Sequence, residues 1–268
     1  MEKLELWSGR APSGEGKTEE TSVCFTVYRP EKPNGKAVII CPGGGYRMLM
    51  TEPEGVGIAT WLTQNNITGI VLEYRLPKGD PYRPLYDAQR AIRTVRANAR
   101  NWGCDPNQIG IMGFSAGGHL ASAAATHFDF ENPNAADPIE QISCRPDFAI
   151  LIYPVITMEP EKNSTTKSRE VLLGKNPAPE LVELFSSEKQ VSNQTPPVYL
   201  AHAANDHVVS PRHSQLFHDA LLAHGVETEY LKLPSGDHGL NQYQGPMWEA
   251  WKTQSLEWLE TLDVIPKN

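Results

Sequence analysis

Short apolar runs alternate along this chain with longer segments whose apolar residues recur every three or four positions. Most of the short runs are rich in valine and isoleucine, as in strands that are buried on both faces. Val23–Tyr28 and Val226–Leu233 instead alternate apolar with polar residues, which is typical of strands with one exposed face. The predicted strands are Val23–Tyr28, Ala37–Cys41, Thr68–Tyr74, Ile109–Met112, Asp147–Tyr153, Pro197–His202 and Val226–Leu233.

The segments between these strands have the periodicity of amphipathic helices. The arginines of Leu85–Arg100 are expected on a solvated or ion-paired surface. Because strands and helices alternate, we predict an α/β fold with a mainly parallel central sheet and helices on both faces. The predicted helices are Glu54–Gln64, Leu85–Arg100, the alanine-rich segment after Ser115, Pro211–His224 and Gln244–Leu262.

Residues 155–195 interrupt this alternation. The segment is polar, contains Pro177 and Pro179, and has only two short helical patterns, Ser168–Leu173 and Pro179–Phe185. Insertions between strands on the ligand-binding side often form lids or pocket walls. We therefore predict one domain over residues 1–268 with a cap-like insertion around 155–195.

Length and charge limit the classes of partner. A chain of 268 residues is long enough for one α/β domain with a sizeable core. The net charge of −8 argues against nucleic acid or an anionic membrane surface as a partner. No apolar run approaches the roughly 18 residues of a membrane span. Residues 1–8 contain no apolar signal core, so we expect a cytoplasmic protein, or a secreted one if a signal was removed.

The four cysteines lie far apart and form no Cys-x-x-Cys pair. They fall within or beside apolar runs, which favours buried free thiols over a disulfide framework or a zinc site. No metal ion or organic cofactor is predicted. The sequence leaves open whether the chain forms a homo-oligomer.

The strand Ile109–Met112 runs directly into Gly-Phe-Ser-Ala-Gly and then into the alanine-rich helix. A serine at such a strand-to-helix turn has a strained backbone and an exposed hydroxyl. Gly113 and Gly117 flank the serine because strand and helix pass too close there for side chains. This arrangement is a nucleophile elbow, so we predict that Ser115 is the catalytic nucleophile and that the amide of Ala116 binds a negative oxygen.

A second glycine-rich loop, Pro42-Gly-Gly-Gly-Tyr46, follows the strand Ala37–Cys41. Consecutive glycines are entropically costly, and loops contain them where backbone amides must approach another group closely. We predict that the amides of Gly44 and Gly45 complete an oxyanion hole with Ala116. Tyr46, at the end of the loop, is the predicted substrate-binding residue.

The chain order expected for this kind of site is serine, then an acid, then histidine. His238 lies in a glycine-flanked loop after the last strand, and Asp206 follows the strand before it, so we predict that they are the base and the acid. Asp237 is too close to His238 to orient its ring easily, and Asp219 lies inside a helix. The other downstream histidines are assigned to backbone hydrogen bonding (His119), to a buried strand end (His202) and to a surface helix (His213, His218 and His224).

Taken together, these motifs resemble the α/β-hydrolase esterases known as acetyl xylan esterases or carbohydrate acetylesterases. Proline precedes the three glycines where lipase-like relatives have histidine, which fits the xylan-esterase branch. Asp237 stands directly before His238 where many members have a second glycine. The matching segments are Leu6-Trp7, Ala11-Pro12, Cys41–Tyr46, Glu54-Gly55, Tyr74–Leu76, Asp87–Arg93, Gly113–Ala121, His202–Asp206 with Val209, and Asp237–Gly239.

The resemblance implies a serine esterase that hydrolyses acetyl esters of carbohydrates, such as acetylated xylo-oligosaccharides, through an acyl-enzyme. The implied partner is a small-molecule or oligosaccharide ester. An aryl-formamidase or a general small-molecule carboxylesterase would use the same residues on another substrate. A hydrolase-like fold that only binds ligands is a third hypothesis, although such proteins usually lose a member of the triad.

Overall fold

A twisted sheet of eight strands forms the centre of the described residues, in the order β1-β2-β4-β3-β5-β6-β7-β8. In this computed structural model the described residues are 1–7, 11–12, 23–160 and 166–264. The pairs β1/β2 and β2/β4 are antiparallel and the other five are parallel. The strands are β1 (Glu2–Glu5), β2 (Cys24–Tyr28), β3 (Gly35–Cys41), β4 (Thr68–Glu73), β5 (Cys104–Phe114), β6 (Phe148–Ile152), β7 (Val198–Ala203) and β8 (Thr228–Leu233).

Helices cover both faces of this sheet, which confirms the predicted architecture. One apolar core lies beneath α2, α3 and α6 and includes Ile39, Ile92 and Leu200. The other lies beneath α1 and α8 and includes Leu62 and Trp251. The helices are α1 (Gly57–Gln64), α2 (Tyr82–Asn98), α3 (Ser115–Thr126), α4 (Thr166–Leu173), α5 (Pro179–Leu184), α6 (Arg212–Ala223), α7 (Leu240–Tyr243) and α8 (Gly245–Val264).

The helix predicted over Glu54–Gln64 has an irregular start. Residues Glu52–Val56 form a wider turn, in which the Val56 amide donates to the carbonyl of Thr51 at 2.7 Å, and α1 begins at Gly57. Such wide turns are rare and are often found at functional sites. Here the turn brings the Glu54 side chain into the interior, where it is 2% exposed.

α7 is a single turn with an unusual backbone. All four of its residues have φ between 47° and 65°, in the left-handed region that non-glycine residues avoid. Leu240 is fully buried, and the Tyr243 ring packs edge-on against Trp248 of α8 at 5.3 Å between centroids. Tertiary packing therefore holds a strained turn directly after the loop that contains His238.

One expectation about surface residues needs correction, and one edge strand was not predicted. Arg90 and Arg93 of α2 are ion-paired as predicted, but both are buried beneath the segment that contains Asp137 and Glu140. The strand Glu2–Glu5 was not predicted, because a short charged run at a sheet edge lacks apolar alternation. The four cysteines are buried free thiols, as expected.

Candidate active site

The predicted nucleophile lies at the turn between β5 and α3. Ser115 has φ of 52°, the strained conformation expected at a nucleophile elbow. A Cβ at Gly113 would collide with the carbonyl oxygen of Gly117, and one at Gly117 would collide with the carbonyl oxygen of Cys41. Both flanking glycines are therefore required by the close packing of strand against helix.

His238 and Asp206 extend a chain of hydrogen bonds from this serine. The Nε2 atom of His238 lies 3.0 Å from Ser115 Oγ, and its Nδ1 atom lies 2.7 Å from Asp206 Oδ2. The three residues come from β5/α3, the loop after β7 and the loop after β8, so the parallel sheet brings their strand ends to one rim. With Nδ1–H donating to the carboxylate, Nε2 is free to accept the serine proton.

Asp206 is held in an environment that keeps its carboxylate ionised. Its Oδ1 atom accepts the amide N–H groups of Val208 and Val209 at 2.8 and 2.9 Å. Burial alone would raise the pKa of Asp206, but hydrogen bonds from His202, His238 and the Val209 amide hold that pKa well below its ordinary value. The side chain is therefore a fixed negative charge behind the imidazole.

Asp237, the rejected candidate for the acid, has a different contact set. Its Oδ1 atom accepts the backbone amides of His207 at 3.1 Å and of His238 at 2.9 Å. The Asn205 side chain in turn accepts the Asp237 amide at 3.1 Å. Asp237 thus connects the loop of the acid to the loop of the base without contacting the imidazole Nδ1.

The glycine-rich loop lies next to the elbow. Gly44 has φ of 123° and Gly45 has φ of 62°, which are conformations that favour glycine. Within the part of the chain that the structure describes, the N–H groups of Gly44 and Gly45 have no hydrogen-bond acceptor. The amide of Ala116 lies in the first turn of α3, where N–H groups lack intrahelical partners. These three amides are the donors that the sequence predicted for an oxyanion hole.

Comparison with known proteins identifies the family of this chain. The BD-FAE family model matches residues 25–221. The chain belongs to the BD-FAE family. An acetylxylan esterase of Xylanibacter ruminicola is 36% identical over 96% of this chain and 50% of its own length. An endo-1,4-beta-xylanase B of Butyrivibrio fibrisolvens is 37% identical over 85% of this chain and 36% of its own length.

A solved structure extends the match over a whole chain. The acetyl ester-xyloside bifunctional hydrolase of Caldicellulosiruptor lactoaceticus superposes with a TM-score of 0.91 at 38% identity, covering 98% of this chain and 97% of that one. These matches confirm the α/β-hydrolase fold and the resemblance to acetyl xylan esterases. The chain spans only about half, or less, of the curated relatives it matches first.

The structure corrects the role predicted for Tyr46. This side chain is 1% exposed, and its hydroxyl donates to His119 Nδ1 at 2.7 Å. His119 Nε2 donates in turn to the carbonyl of Phe185 at 2.8 Å, within the predicted insertion. Tyr46 therefore anchors the glycine-rich loop to α3 and does not present its ring to a substrate. His119 bonds a distant carbonyl rather than neighbouring backbone.

A second correction concerns His213, which was predicted on a surface helix. It is fully buried, and its Nδ1 atom accepts the amide of Ile156 at 2.9 Å. His202 is buried as predicted, with Nδ1 2.8 Å from Ser214 Oγ and Nε2 2.9 Å from the Val209 carbonyl oxygen. Neither imidazole contacts Ser115, so His238 is the histidine that the structure brings to the serine.

No cluster of three or more histidine, cysteine, aspartate or glutamate side chains suited to a metal ion occurs among the described residues. In the same ranges, no helix has both the length and the apolar character needed to traverse a bilayer. The cytoplasmic location and the absence of a cofactor stay predictions of the sequence.

Proposed function

We propose that this protein is a serine esterase that removes acetyl groups from carbohydrates, with acetylated xylo-oligosaccharides as the substrate class. The observation that supports this proposal most strongly is the hydrogen-bonded chain of Ser115, His238 and Asp206, with distances of 3.0 and 2.7 Å. The names of the acetylxylan esterase and of the acetyl ester-xyloside hydrolase support the choice of substrate.

In the proposed mechanism His238 Nε2 takes the hydroxyl proton as Ser115 Oγ attacks the acetyl carbonyl carbon. The carbonyl oxygen becomes an oxyanion, which the amides of Gly44, Gly45 and Ala116 stabilise. His238 then gives its proton to the sugar oxygen, and the C–O bond breaks to leave an acetyl-serine. Water, deprotonated by the same imidazole, hydrolyses this acyl-enzyme and releases acetate.

We also propose that the insertion around 155–195 forms a wall of the substrate site within one domain of residues 1–268. Two contacts support this role. A Cβ placed on Gly45 would lie 3.7 Å from Ser168 Oγ, at the start of the insertion's first helix. The carbonyl of Phe185 accepts a hydrogen bond from His119, so the insertion is packed against α3.

Substitution of the nucleophile tests the chemistry. Ser115→Ala should lower kcat on p-nitrophenyl acetate by something on the order of a millionfold, because the covalent step is lost. A fluorophosphonate probe should label the parent protein and not this variant. Equal rates for the two proteins, or labelling at another serine, would contradict the proposal.

A substrate panel separates the proposed activity from its alternatives. The panel contains acetylated xylose, acetylated xylan, N-formylkynurenine and short p-nitrophenyl esters. The proposal expects the highest kcat/KM on the acetylated sugars. A preference for N-formylkynurenine would favour the aryl-formamidase hypothesis, and turnover of p-nitrophenyl esters alone would favour a general carboxylesterase.

A further inference from the structure

Glu54 is a buried carboxylate close to the proposed active site that none of the steps above uses. It lies in the wide turn Glu52–Val56 and is 2% exposed. No lysine or arginine among the described residues forms a salt bridge with it. A buried carboxylate without a cationic partner is costly unless several hydrogen bonds satisfy it.

Two donors bond to Glu54, and they come from two separate segments. The Gly43 amide donates to Oε2 at 2.7 Å, and the Tyr153 hydroxyl donates to Oε1 at 3.0 Å. An interaction with the Tyr243 hydroxyl of α7 also acts to lower the pKa of Glu54. With two donors directed at it, the group is suited to the ionised form, which only accepts hydrogen bonds.

The first of these bonds reaches the oxyanion loop. Gly43 directly precedes the two glycines whose amides are the proposed oxyanion donors. A Cβ at this position would lie 2.7 Å from Glu54 Oε2 and 3.1 Å from Ser115 Cβ. The loop therefore packs closely between the Glu54 carboxylate and Ser115.

The bond from Tyr153 connects Glu54 to His238, the proposed base, because the Tyr153 ring packs against the imidazole. The Tyr153 ring lies 4.9 Å from the His238 ring, measured between centroids, and Tyr153 has φ of 40°. The Glu54 charge also interacts favourably with a protonated His238. Burial raises the pKa of Glu54 above its ordinary value, and these hydrogen bonds act in the opposite direction.

We propose that Glu54 is a positioning residue for ester hydrolysis, which fixes the oxyanion loop through Gly43 and the ring of His238 through Tyr153. Its negative charge also favours the imidazolium that forms when His238 takes the serine proton. This inference rests on the proposed function, because it assigns Glu54 a role in that same reaction.

The test is Glu54→Gln, which keeps the size of the side chain and removes its charge. The amide nitrogen of glutamine cannot accept a hydrogen bond, so either Gly43 loses its acceptor or the Tyr153 hydroxyl must change from donor to acceptor. We expect kcat on p-nitrophenyl acetate to fall about tenfold to a hundredfold, the usual effect of a small misplacement at a reacting centre. KM should change less than about twofold, and fluorophosphonate labelling should slow by a factor similar to that of kcat.

Asp147→Asn is the matched control. Asp147 also accepts a backbone amide, that of Ile109 at 2.8 Å. It precedes β6, so it lies at the amino ends of the parallel strands, away from Ser115 and His238. Both variants should lose stability, which thermal unfolding measures. Only Glu54→Gln should lose kcat while it is folded.

If Glu54→Gln does not fold, Tyr153→Phe removes one donor and leaves the carboxylate in place. It should lower kcat by a smaller factor than that expected of Glu54→Gln. A folded Glu54→Gln with parental kcat, or a Tyr153→Phe variant with parental kcat, would overturn the role of Glu54 alone. A parent protein with no esterase activity would overturn the proposed function as well.

Discussion

Buried carboxylates occur in two regions of this molecule, and their partners differ. On the α2 side of the sheet, Asp87 is fully buried, pairs with the Arg75 guanidinium at 2.9 Å and accepts Trp7 Nε1–H at 2.8 Å. At the catalytic rim, Asp206 and Glu54 bond to amides, hydroxyls and imidazoles. The Arg75 guanidinium neutralises Asp87 permanently. In the described part of the chain Asp206 and Glu54 have no such cation beside them, so their negative charges can stabilise His238 when it takes up a proton. The comparison distinguishes a carboxylate that stabilises the fold from carboxylates placed to assist chemistry.

Among the variants that test this comparison of carboxylates, Asp206→Asn should have the largest effect. The asparagine can keep one oxygen for the amides of Val208 and Val209, but its NH₂ group then faces His238 Nδ1. That contact favours the tautomer with a proton on Nε2, which cannot accept from Ser115. We expect kcat to fall about 10⁴-fold. Steady-state kinetics on p-nitrophenyl acetate check this, and a loss below about tenfold would show that Asp206 is not the acid.

Asp87→Asn should affect stability and spare catalysis. Removal of its charge leaves the Arg75 guanidinium buried without a counter-ion, which typically costs about 3–5 kcal/mol. Denaturant unfolding measures the loss, and kcat per folded molecule should stay within about twofold of the parent. Adding Arg75→Met should recover part of the stability. A large fall in kcat for folded Asp87→Asn would remove the distinction between the two regions.

Buried imidazoles provide the third prediction. Burial lowers the pKa of His213 to about 3 and that of His119 to about 4. In the unfolded chain these histidines have pKa values near 6.5. Between pH 6.5 and 4 the unfolded state therefore binds more protons than the folded state. The free energy of unfolding therefore falls as pH decreases through that range, by about 1.4 kcal/mol per pH unit for each histidine.

His213→Asn separates one of these contributions. Asparagine can still accept the Ile156 amide and does not titrate. The variant is expected to be less stable than the parent at pH 7 but to show a shallower loss between pH 6.5 and 4.5. Urea unfolding at several pH values gives both slopes. Identical slopes for variant and parent would mean that His213 does not remain neutral in the folded state.

The sequence was sufficient to predict that Ser115, His238 and Asp206 lie together, because each has a local signature. Ser115 lies between a β-branched strand and an alanine-rich helix, and Asp206 and His238 each follow a predicted strand. The partners of Tyr46, His213 and Glu54 lie far away along the chain, at His119, Ile156 and Tyr153. Apolar periodicity does not encode such pairings, so the burial of these polar side chains could not be predicted.

The same limit explains the errors in secondary structure. β1 is a charged edge strand that depends on pairing with β2. The start of β5 at Cys104 depends on its pairing with Gly35 of β3, and the register shifts before Ile109. The wide turn before α1 has a helical sequence pattern. The extra residue in this turn goes together with the close packing of Gly55 against Val71, a contact that the sequence does not indicate.

The crowding around Gly43 has a consequence for anyone who wishes to alter this enzyme's selectivity. Positions 43, 54 and 115 share one small volume, and a Cβ at position 43 would also lie 2.7 Å from the backbone carbonyl oxygen of Phe114, so a shorter residue at position 54 does not by itself make room there. Libraries that vary the glycine-rich loop should therefore keep glycine at position 43, because clones with a larger residue there should be mostly inactive.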